Sequence, residues 1–430
     1  KLAEQAKTRI TFSSLYIGTS ERSKQLLKVI REGQKKFKFP INLLFEGTRT
    51  KRFISVTNDN IGTLLKTEGV HDNAKSSLEF LVQNLDAECI DSGLTNIHLH
   101  YGPVNEFFSS GGEQLLPDRL NEIFNLHHIK AYVFDNTVVI TGANLSEDYF
   151  TTRQDRAWII EDERIAEYFH QLILFFSQGS ISMPNKINSG VICLETFEEF
   201  KQRINHLMNS EKTDTYLQPT VQAHTYGINE EREHIEELLT ATSKEPGPFE
   251  MTLASAYFCL DRQFEDVLLK CIGESKNSSF TLVTSTMEAN GFSGSKGLSG
   301  NIPYFYNLCL SDFTKSLTNL TNNTLKRDIF EWNHAQRTFH AKGLWINKGS
   351  SYLTQIGSSN YNNRSFNRDV ECQLTLHTKN INLIKCLEAE RNQILDPKYT
   401  NTHKENNWKM DHYTLYWILR GLKPILRIYF

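Results

Sequence analysis

The sequence predicts an α/β protein built as two tandem α/β/α sandwich lobes related by a pseudo-twofold axis, with an amphipathic C-terminal segment. Three observations carry that expectation. Strand-like and helix-like stretches alternate along the 430 residues, the pattern of helices layered on a sheet. One short pattern occurs twice: His128-Ile129-Lys130, Gly142-Ala143-Asn144 and Asp155, then His340-Ala341-Lys342, Gly357-Ser358-Ser359-Asn360 and Glu371. The step from Asn144 to Asp155 equals that from Asn360 to Glu371, 11 residues, and the two histidines stand 212 apart. That period is a duplicated domain, not a solenoid.

The elements follow in order. Residues 11–18 read as a strand, 22–31 as a helix, and 41–45 as a strand ending in the turn Glu46-Gly47-Thr48-Arg49. Residues 128–134 form a strand, Asp135-Asn136 a turn, and 137–143 the returning strand. A helix over 163–176 closes the first unit. The polar stretch 178–190, with Gly179, Pro184 and Gly190, marks the boundary. The first lobe is therefore placed at 1–185 and the second at 186–400. In the second, 195–208 is helical, 251–258 and 279–284 are strands, and 339–346 pairs with 352–356. Residues 401–430 form the C-terminal segment. Glycine-rich 291–300 lacks the Gly-Lys-Ser/Thr order of a nucleotide-triphosphate loop, since Gly297 follows Lys296, and reads as a mobile loop on the substrate side.

Composition narrows the function. Aromatic content of 11% and charged content of 23% fit a folded body. A net charge of −3 disfavours bulk nucleic-acid binding, so any basic site is local. Seven scattered cysteines without a Cys-x-x-Cys pair point to reduced thiols rather than a disulfide framework or zinc knuckle. No apolar run approaches the ~20 residues of a membrane span. The chain opens at Lys1, which raises the expectation of a removed targeting segment whose kind the sequence does not show.

His-x-Lys alone is weak: among 14 histidines about one chance match is expected, and His377-Thr378-Lys379 supplies it, with no Gly/Asn turn after it. The two full copies share four features in order. On a strand, side chains two apart share a face, so each histidine stands beside its lysine. Asn144 and Asn360 fall just past strands, where an amide and free backbone N–H groups can hold an anion. Asp155 and Glu371 can each accept the Nδ1 proton of a cleft histidine and leave Nε2 for chemistry. Two such sets facing one phosphodiester would stabilise a pentacoordinate phosphorus. One imidazole can attack, and the other can protonate the leaving group and later deprotonate the acceptor. No metal or cofactor is required, and the residues leave open whether a divalent cation helps load the substrates. They also leave open which histidine attacks.

These residues resemble the phospholipase-D superfamily, whose His-x-Lys-x4-Asp signature is complete as His128, Lys130 and Asp135. Asn347 replaces the aspartate of the second copy, and Ala143 stands where the usual Gly-Ser-x-Asn turn carries a serine. The chain is similar in particular to the eukaryotic phosphatidylglycerophosphate synthase family, CDP-diacylglycerol–glycerol-3-phosphate 3-phosphatidyltransferase. The likeness rests on 116–122, 141–146, 153–156, Gly47-Thr48-Arg49, 288–292 and 338–345. It implies a peripheral enzyme on the matrix side of the mitochondrial inner membrane, making phosphatidylglycerophosphate and CMP from CDP-diacylglycerol and glycerol 3-phosphate. It further implies attack by His128 through a phosphatidyl-histidine, with His340 as acid and base.

An anionic acceptor needs further cations. Arg153 and Arg364 lie between each lobe's Asn and its acid, and Arg49 lies in a motif turn, where guanidinium groups can grip phosphate. Ser358 is a candidate donor, and Tyr257 and Tyr361 are candidate cleft walls. In the C-terminal segment, Arg420, Lys423 and Arg427 share a helical face beside apolar and aromatic residues. That pattern suits an anionic membrane surface, or else packing on the body or another subunit. Pro424 is expected to kink a helix there. The rival functions are a phospholipase-D-type nuclease or phosphodiesterase, a cardiolipin or phosphatidylserine synthase, and a non-catalytic scaffold. Oligomeric state is not legible.

Overall fold

The computed structural model describes residues 1–51, 76–102, 125–183, 186–187, 190–208, 213–295, 297–321, 324–404 and 412–430. The resemblance run 116–122 and Lys296 lie outside these, as does Trp408. Two large sheets share one strand order. In the first lobe it runs Ala157–Glu161, Thr137–Thr141, Ala131–Phe134, Ile10–Ser14, Ile41–Glu46, Thr95–His100, Ser180–Met183, Lys186–Ile187. In the second it runs Glu371–Thr378, Ser351–Gly357, Lys342–Lys348, Glu250–Ser255, Ser279–Ser285, Lys326–Trp332, Thr400–Thr402. Two further strands, Thr215–Ala223 and Ile228–Asn229, extend the second sheet beyond Glu371–Thr378. In each lobe three consecutive strands are parallel, and the His-x-Lys hairpin joins them antiparallel. The duplicated α/β architecture expected from the sequence is present.

Local chemistry explains the helices that flank the sheets. Glu21–Phe37 is capped by Ser20, whose hydroxyl accepts from the Ser23 N–H, and ends at Lys38 in the left-handed region. It buries Leu27 and Ile30 at helical spacing. Asp162 caps Glu163–Ser177, which buries Phe169, Leu172, Phe175 and Phe176. Gly47–Lys51 is a short helix rather than the expected turn: the Glu46 carboxylate accepts from the Thr48 and Arg49 N–H groups and so caps it. The polar stretch expected to mark the boundary contributes Ser180–Met183 and Lys186–Ile187 to the first sheet.

Three devices fix one lobe against the other. A single apolar core contains Ile129, Val133 and Phe176 of the first lobe with Val221, Ile356 and Val370 of the second. Arg156, buried, crosses from the first lobe to donate to the carbonyls of Lys342 and Gln355, pairs with Glu390, and stacks 4.0 Å from the Trp345 ring. A Cβ at Gly343 would lie 1.9 Å from the Arg156 Nη1, so only glycine admits this crossing. The backbone supplies the third device: Thr338-Phe339 pairs in parallel with Arg153-Gln154, and His127 with Val370. Each segment that leads into a His-x-Lys motif is thus hydrogen-bonded to the segment that leads into the other lobe's acid.

Tyr413–Tyr429 is one continuous helix running through Pro424, so the expected break is absent. Its basic stripe faces the body. Arg420 and Lys423 pair with Asp312, and Arg427 pairs with Glu265 and donates to the Leu260 carbonyl. Of the two expectations, an anionic membrane surface or packing on the body, the stripe meets the second: its three cations face two carboxylates of the second lobe. Among the described residues no helix is long and apolar enough to cross a membrane.

Candidate active site

The stitched segments carry the two histidines to the seam between lobes, where each meets the acid of the opposite lobe. His340 Nδ1 lies 2.6 Å from Asp155 Oδ2, and His128 Nδ1 lies 2.9 Å from Glu371 Oε2. The backbone repeats the crossing, since His340 N donates to the Gln154 carbonyl at 2.8 Å and His128 N to the Val370 carbonyl at 2.8 Å. A carboxylate on Nδ1 fixes the tautomer and leaves Nε2 as the reactive nitrogen. Neither half-site is complete within its own lobe.

Lys130 and Lys342 are buried beside the rings. Lys130 Nζ donates to the His128 carbonyl at 2.8 Å, and Lys342 Nζ sits 3.1 and 3.3 Å from the two His340 ring nitrogens. Burial, then the Lys130 and Lys342 charges respectively, holds His128 and His340 well below the ordinary histidine value. Burial likewise lowers both lysines, against the pull of Asp155 and Glu371. The charges of the two halves act on one another: Lys342 acts on His128 and Glu371, and Asp155 acts on Lys130.

Asn144 and Asn360 stand two residues before the caps, Ser146 and Asn362, of the short helices Glu147–Thr151 and Asn363–Asn367. Both amides are buried, and among the described residues the Oδ1 of each has no hydrogen-bond partner. A buried polar atom without a partner is costly unless a ligand completes it. Rotated, each amide offers N–H donors to phosphate oxygens. At Gly142 a Cβ would lie 2.9 Å from both the Asp155 Oδ1 and the Lys342 Nζ. The backbone thus passes close to those charges with no room for a side chain.

The remaining candidates divide. Tyr257 lies edge-on to His340 with ring centroids 5.5 Å apart. Arg153 pairs with Asp148 at 2.7 Å, stacks 4.4 Å from the Tyr149 ring, and adds its charge to those lowering His340. Arg364 pairs with Asp369 at 2.8 Å and reaches His128 electrostatically. Arg49 lies 5.0 Å over the Tyr16 ring, whose hydroxyl meets the cap Ser146. Ser358 is turned toward the protein: its hydroxyl accepts from the Cys372 N–H at 3.2 Å and bonds Glu371. It supports the acid and does not line the cleft.

Two candidates are corrected. Asp135 sits at the far tip of the hairpin, seven residues beyond His128 and roughly 20 Å along an extended chain. There it accepts from the N–H groups of Lys7, Thr8 and Arg9 and from the Thr8 hydroxyl. It fastens the N-terminal segment and touches no reacting group. Its counterpart Asn347 donates to Glu388, also outside the cleft. Tyr361 is fully buried in the second-lobe core, stacked on Phe264 with centroids 5.4 Å apart, because its backbone takes a positive φ of 58° that turns it inward.

Sequence reading missed Tyr149, whose hydroxyl lies 3.4 Å from His340 Nε2 and accepts from Asn144. It also missed Ser365, which donates to Glu371 at 2.9 Å. Both occupy the fifth position after the motif Asn, a signal available from the alignment of the two copies. His128, Asp369 and Glu371 present ligand atoms within 4.8 Å of one another. Both carboxylates are already engaged, Asp369 by the Leu126 N–H and Arg364, and Glu371 by Ser365 and His128. The trio fits an oriented histidine better than a metal centre.

Comparison with known proteins adds the following. No family model matches the chain. It is 28% identical to a Dictyostelium discoideum protein named a probable CDP-diacylglycerol–glycerol-3-phosphate 3-phosphatidyltransferase, covering 94% of this chain and 70% of that one. The human mitochondrial protein of that name is 28% identical over 90% of this chain and 73% of its own length, and the Saccharomyces pastorianus protein 26% identical over 94% and 80%. Among solved structures, phosphatidylserine synthase from Haemophilus influenzae superposes with a TM-score of 0.68 at 17% identity, covering 100% of this chain and 91% of that chain. That likeness shows a shared fold.

Proposed function

We propose that this chain is a phosphatidylglycerophosphate synthase, transferring the phosphatidyl group of CDP-diacylglycerol to glycerol 3-phosphate and releasing CMP. The crossed pairing of each histidine with the other lobe's acid is the observation that carries the chemistry, because it puts two oriented imidazoles at one seam. The names of relatives spanning at least 90% of the chain carry the choice of substrates.

His128 Nε2 attacks the lipid-side phosphorus and the P–O bond to CMP breaks. His340 delivers its proton to the departing CMP oxygen. Lys130 and Lys342, with the Asn144 and Asn360 amides, stabilise the charge on the equatorial oxygens. The neutral His340 then takes the proton of the C1 hydroxyl of glycerol 3-phosphate as that oxygen attacks the phosphatidyl-histidine. The P–N bond breaks, and His128 and the protonated His340 are restored. Arg153, whose charge reaches His340, is the group we assign to the acceptor's phosphate, with Arg364, whose charge reaches His128, and Arg49 as further candidates. The lipid substrate requires work at a membrane surface, and by analogy with relatives named mitochondrial that membrane is mitochondrial.

The test is CMP release by pure protein from CDP-diacylglycerol in detergent micelles. We expect release that depends on glycerol 3-phosphate and exceeds that with serine or water by at least ~100-fold, well within the ~10⁴-fold or more by which a polar site can reject the wrong acceptor. Equal release with serine or water defeats the assignment.

A further inference from the structure

The C-terminal helix Tyr413–Tyr429 is inside out for a surface helix. At 100° per residue, its charged residues Arg420, Lys423 and Arg427 fall on the side that holds Leu415, Leu419 and Leu426, and that side packs on the second lobe. The opposite half of the circumference carries no charge. It displays Tyr413, Trp417, Ile418, Leu422, Ile425 and Ile428, each between 43% and 64% exposed. These are six of the fifteen exposed large hydrophobic residues among the described ones, and the other nine are scattered over the rest of the molecule. A contiguous apolar face of this kind marks an interaction surface.

The inner side of the helix is joined to the catalytic seam by packed aromatic rings. Tyr257, edge-on to His340, lies 5.7 Å from Tyr306 by ring centroids and 5.5 Å from Phe292. Tyr306 lies 6.0 Å from Phe430 at the helix end, and Phe305 lies 5.6 Å from the same ring. The helix also touches the motif side directly, since Tyr429 lies 4.5 Å from the Arg368 guanidinium, next to the short helix that carries Arg364 and Ser365.

We propose that the outward face of the C-terminal helix lies in the interfacial layer of a lipid bilayer and that the acyl chains of the substrate leave the cleft along Tyr257, Phe292 and Tyr306 toward it. This rests on the reading of the substrate as a diacyl lipid. The occupant is a bilayer because the helix that carries the apolar face packs on the apolar rings that lead to the reacting histidine. A diacyl lipid must have its phosphorus at the histidines and its tails in hydrocarbon at once. Tyr413 and Trp417 at one end of the face suit the headgroup level. Because the helix's cations lie on the side facing Asp312 and Glu265 and not on the outward face, its attachment is mainly apolar and depends little on anionic lipid.

The experiment compares the full chain with a triple variant, Trp417→Ser, Ile425→Ser and Ile428→Ser, each at an exposed position. Binding is measured by co-sedimentation with phosphatidylcholine vesicles, with and without 20 mol% phosphatidylglycerol (roughly the charge density of an anionic leaflet), and turnover on CDP-diacylglycerol in those vesicles and on a dihexanoyl analogue in solution. Circular dichroism and thermal midpoint confirm that the variant is folded. The expected result is at least ~10-fold weaker binding to both vesicle types, a matching loss of turnover on vesicles, and unchanged turnover on the soluble analogue. Undiminished vesicle binding overturns the proposal. So does a wild-type dimer that the variant converts to a monomer, which would make the face a contact between copies. If the wild type binds vesicles through this face yet turns over neither substrate, the enzymatic reading fails while the lipid surface stands.

Discussion

Around His128 the steadying acid is Glu371, which accepts hydroxyl donors from Ser365 and Ser358. Burial raises its pKa despite those donors and the charge of Lys130. Around His340 the acid is Asp155, whose contact is shorter, 2.6 Å against 2.9 Å. Burial works against its ionisation too, but the charges of His340 and Lys342 and the Arg156 N–H win, so its pKa is lowered. A second inversion accompanies the first. Four and nine residues after the motif Asn, the first lobe carries Asp148 and Arg153 and the second carries Arg364 and Asp369, and each pair is closed. The same ion pair exists in both halves with its charges exchanged. Duplication has preserved the reacting groups while their surroundings have diverged, and that divergence supports separate roles. An ionised Asp155 favours the imidazolium on His340, as an acid requires, against the burial and the Lys342 charge that hold that ring below the ordinary histidine value. Burial and the Lys130 charge leave the His128 ring neutral, as a nucleophile requires, with Glu371 orienting it through Nδ1.

The comparison is broken most severely by removing either ring. His128→Ala and His340→Ala should each lower kcat by about 10³-fold or more, the scale of losing a nucleophile or a positioned acid–base group. Retention of a tenth of wild-type kcat by either would remove the two-imidazole scheme. The acids should then separate. Asp155→Asn, which takes away a full charge from the imidazolium, is expected to cost about 10²–10³-fold, and Glu371→Gln, which keeps an acceptor for Nδ1–H, only about tenfold. Equal losses in steady-state kinetics would mean that the halves are interchangeable.

The pH profile sharpens the same contrast. His128 must be neutral to attack and burial holds its pKa down, so kcat/KM should rise with pH through an ionisation below 6.5. His340 must start protonated to act as the acid, and burial and the Lys342 charge hold its pKa down too, so the basic limb should also fall below 6.5. An acid limb above 6.5 would contradict the burial argument. The smallest effect on turnover is expected at Asp135→Asn, which should leave kcat within about twofold while lowering stability by about 1–3 kcal/mol through loss of charge-assisted bonds to three N–H groups. Those bonds hold its pKa below 3.8. Its contribution is therefore fully present above that value and disappears as pH falls through the lower folded value. Denaturant titrations of both proteins at pH 7 and pH 3 check the sign.

The duplication, the α/β lobes and the reacting residues were legible because each motif is local, with spacing fixed by strand and turn geometry. The crossing was not. Asp155 and Glu371 follow the motifs of their own lobes by 27 and 31 residues, and nothing in that spacing says that each serves the other lobe's histidine. Asp135 is misleading for a related reason, since it belongs to the signature by sequence yet lies at the opposite end of the hairpin. For the last helix, periodicity placed three cations on one face correctly. Which way that face pointed depended on Asp312 and Glu265, more than a hundred residues away in sequence, and no local pattern contains them.

The most direct test of the account is acid-quenched trapping of His340→Ala with CDP-diacylglycerol labelled at the lipid-side phosphorus, followed by peptide mapping of the adduct. The account predicts label on His128, with loss of the adduct in a variant that also carries His128→Ala. Label that persists without His128, or an active wild-type enzyme in which no phosphatidyl-histidine accumulates in His340→Ala, would contradict it.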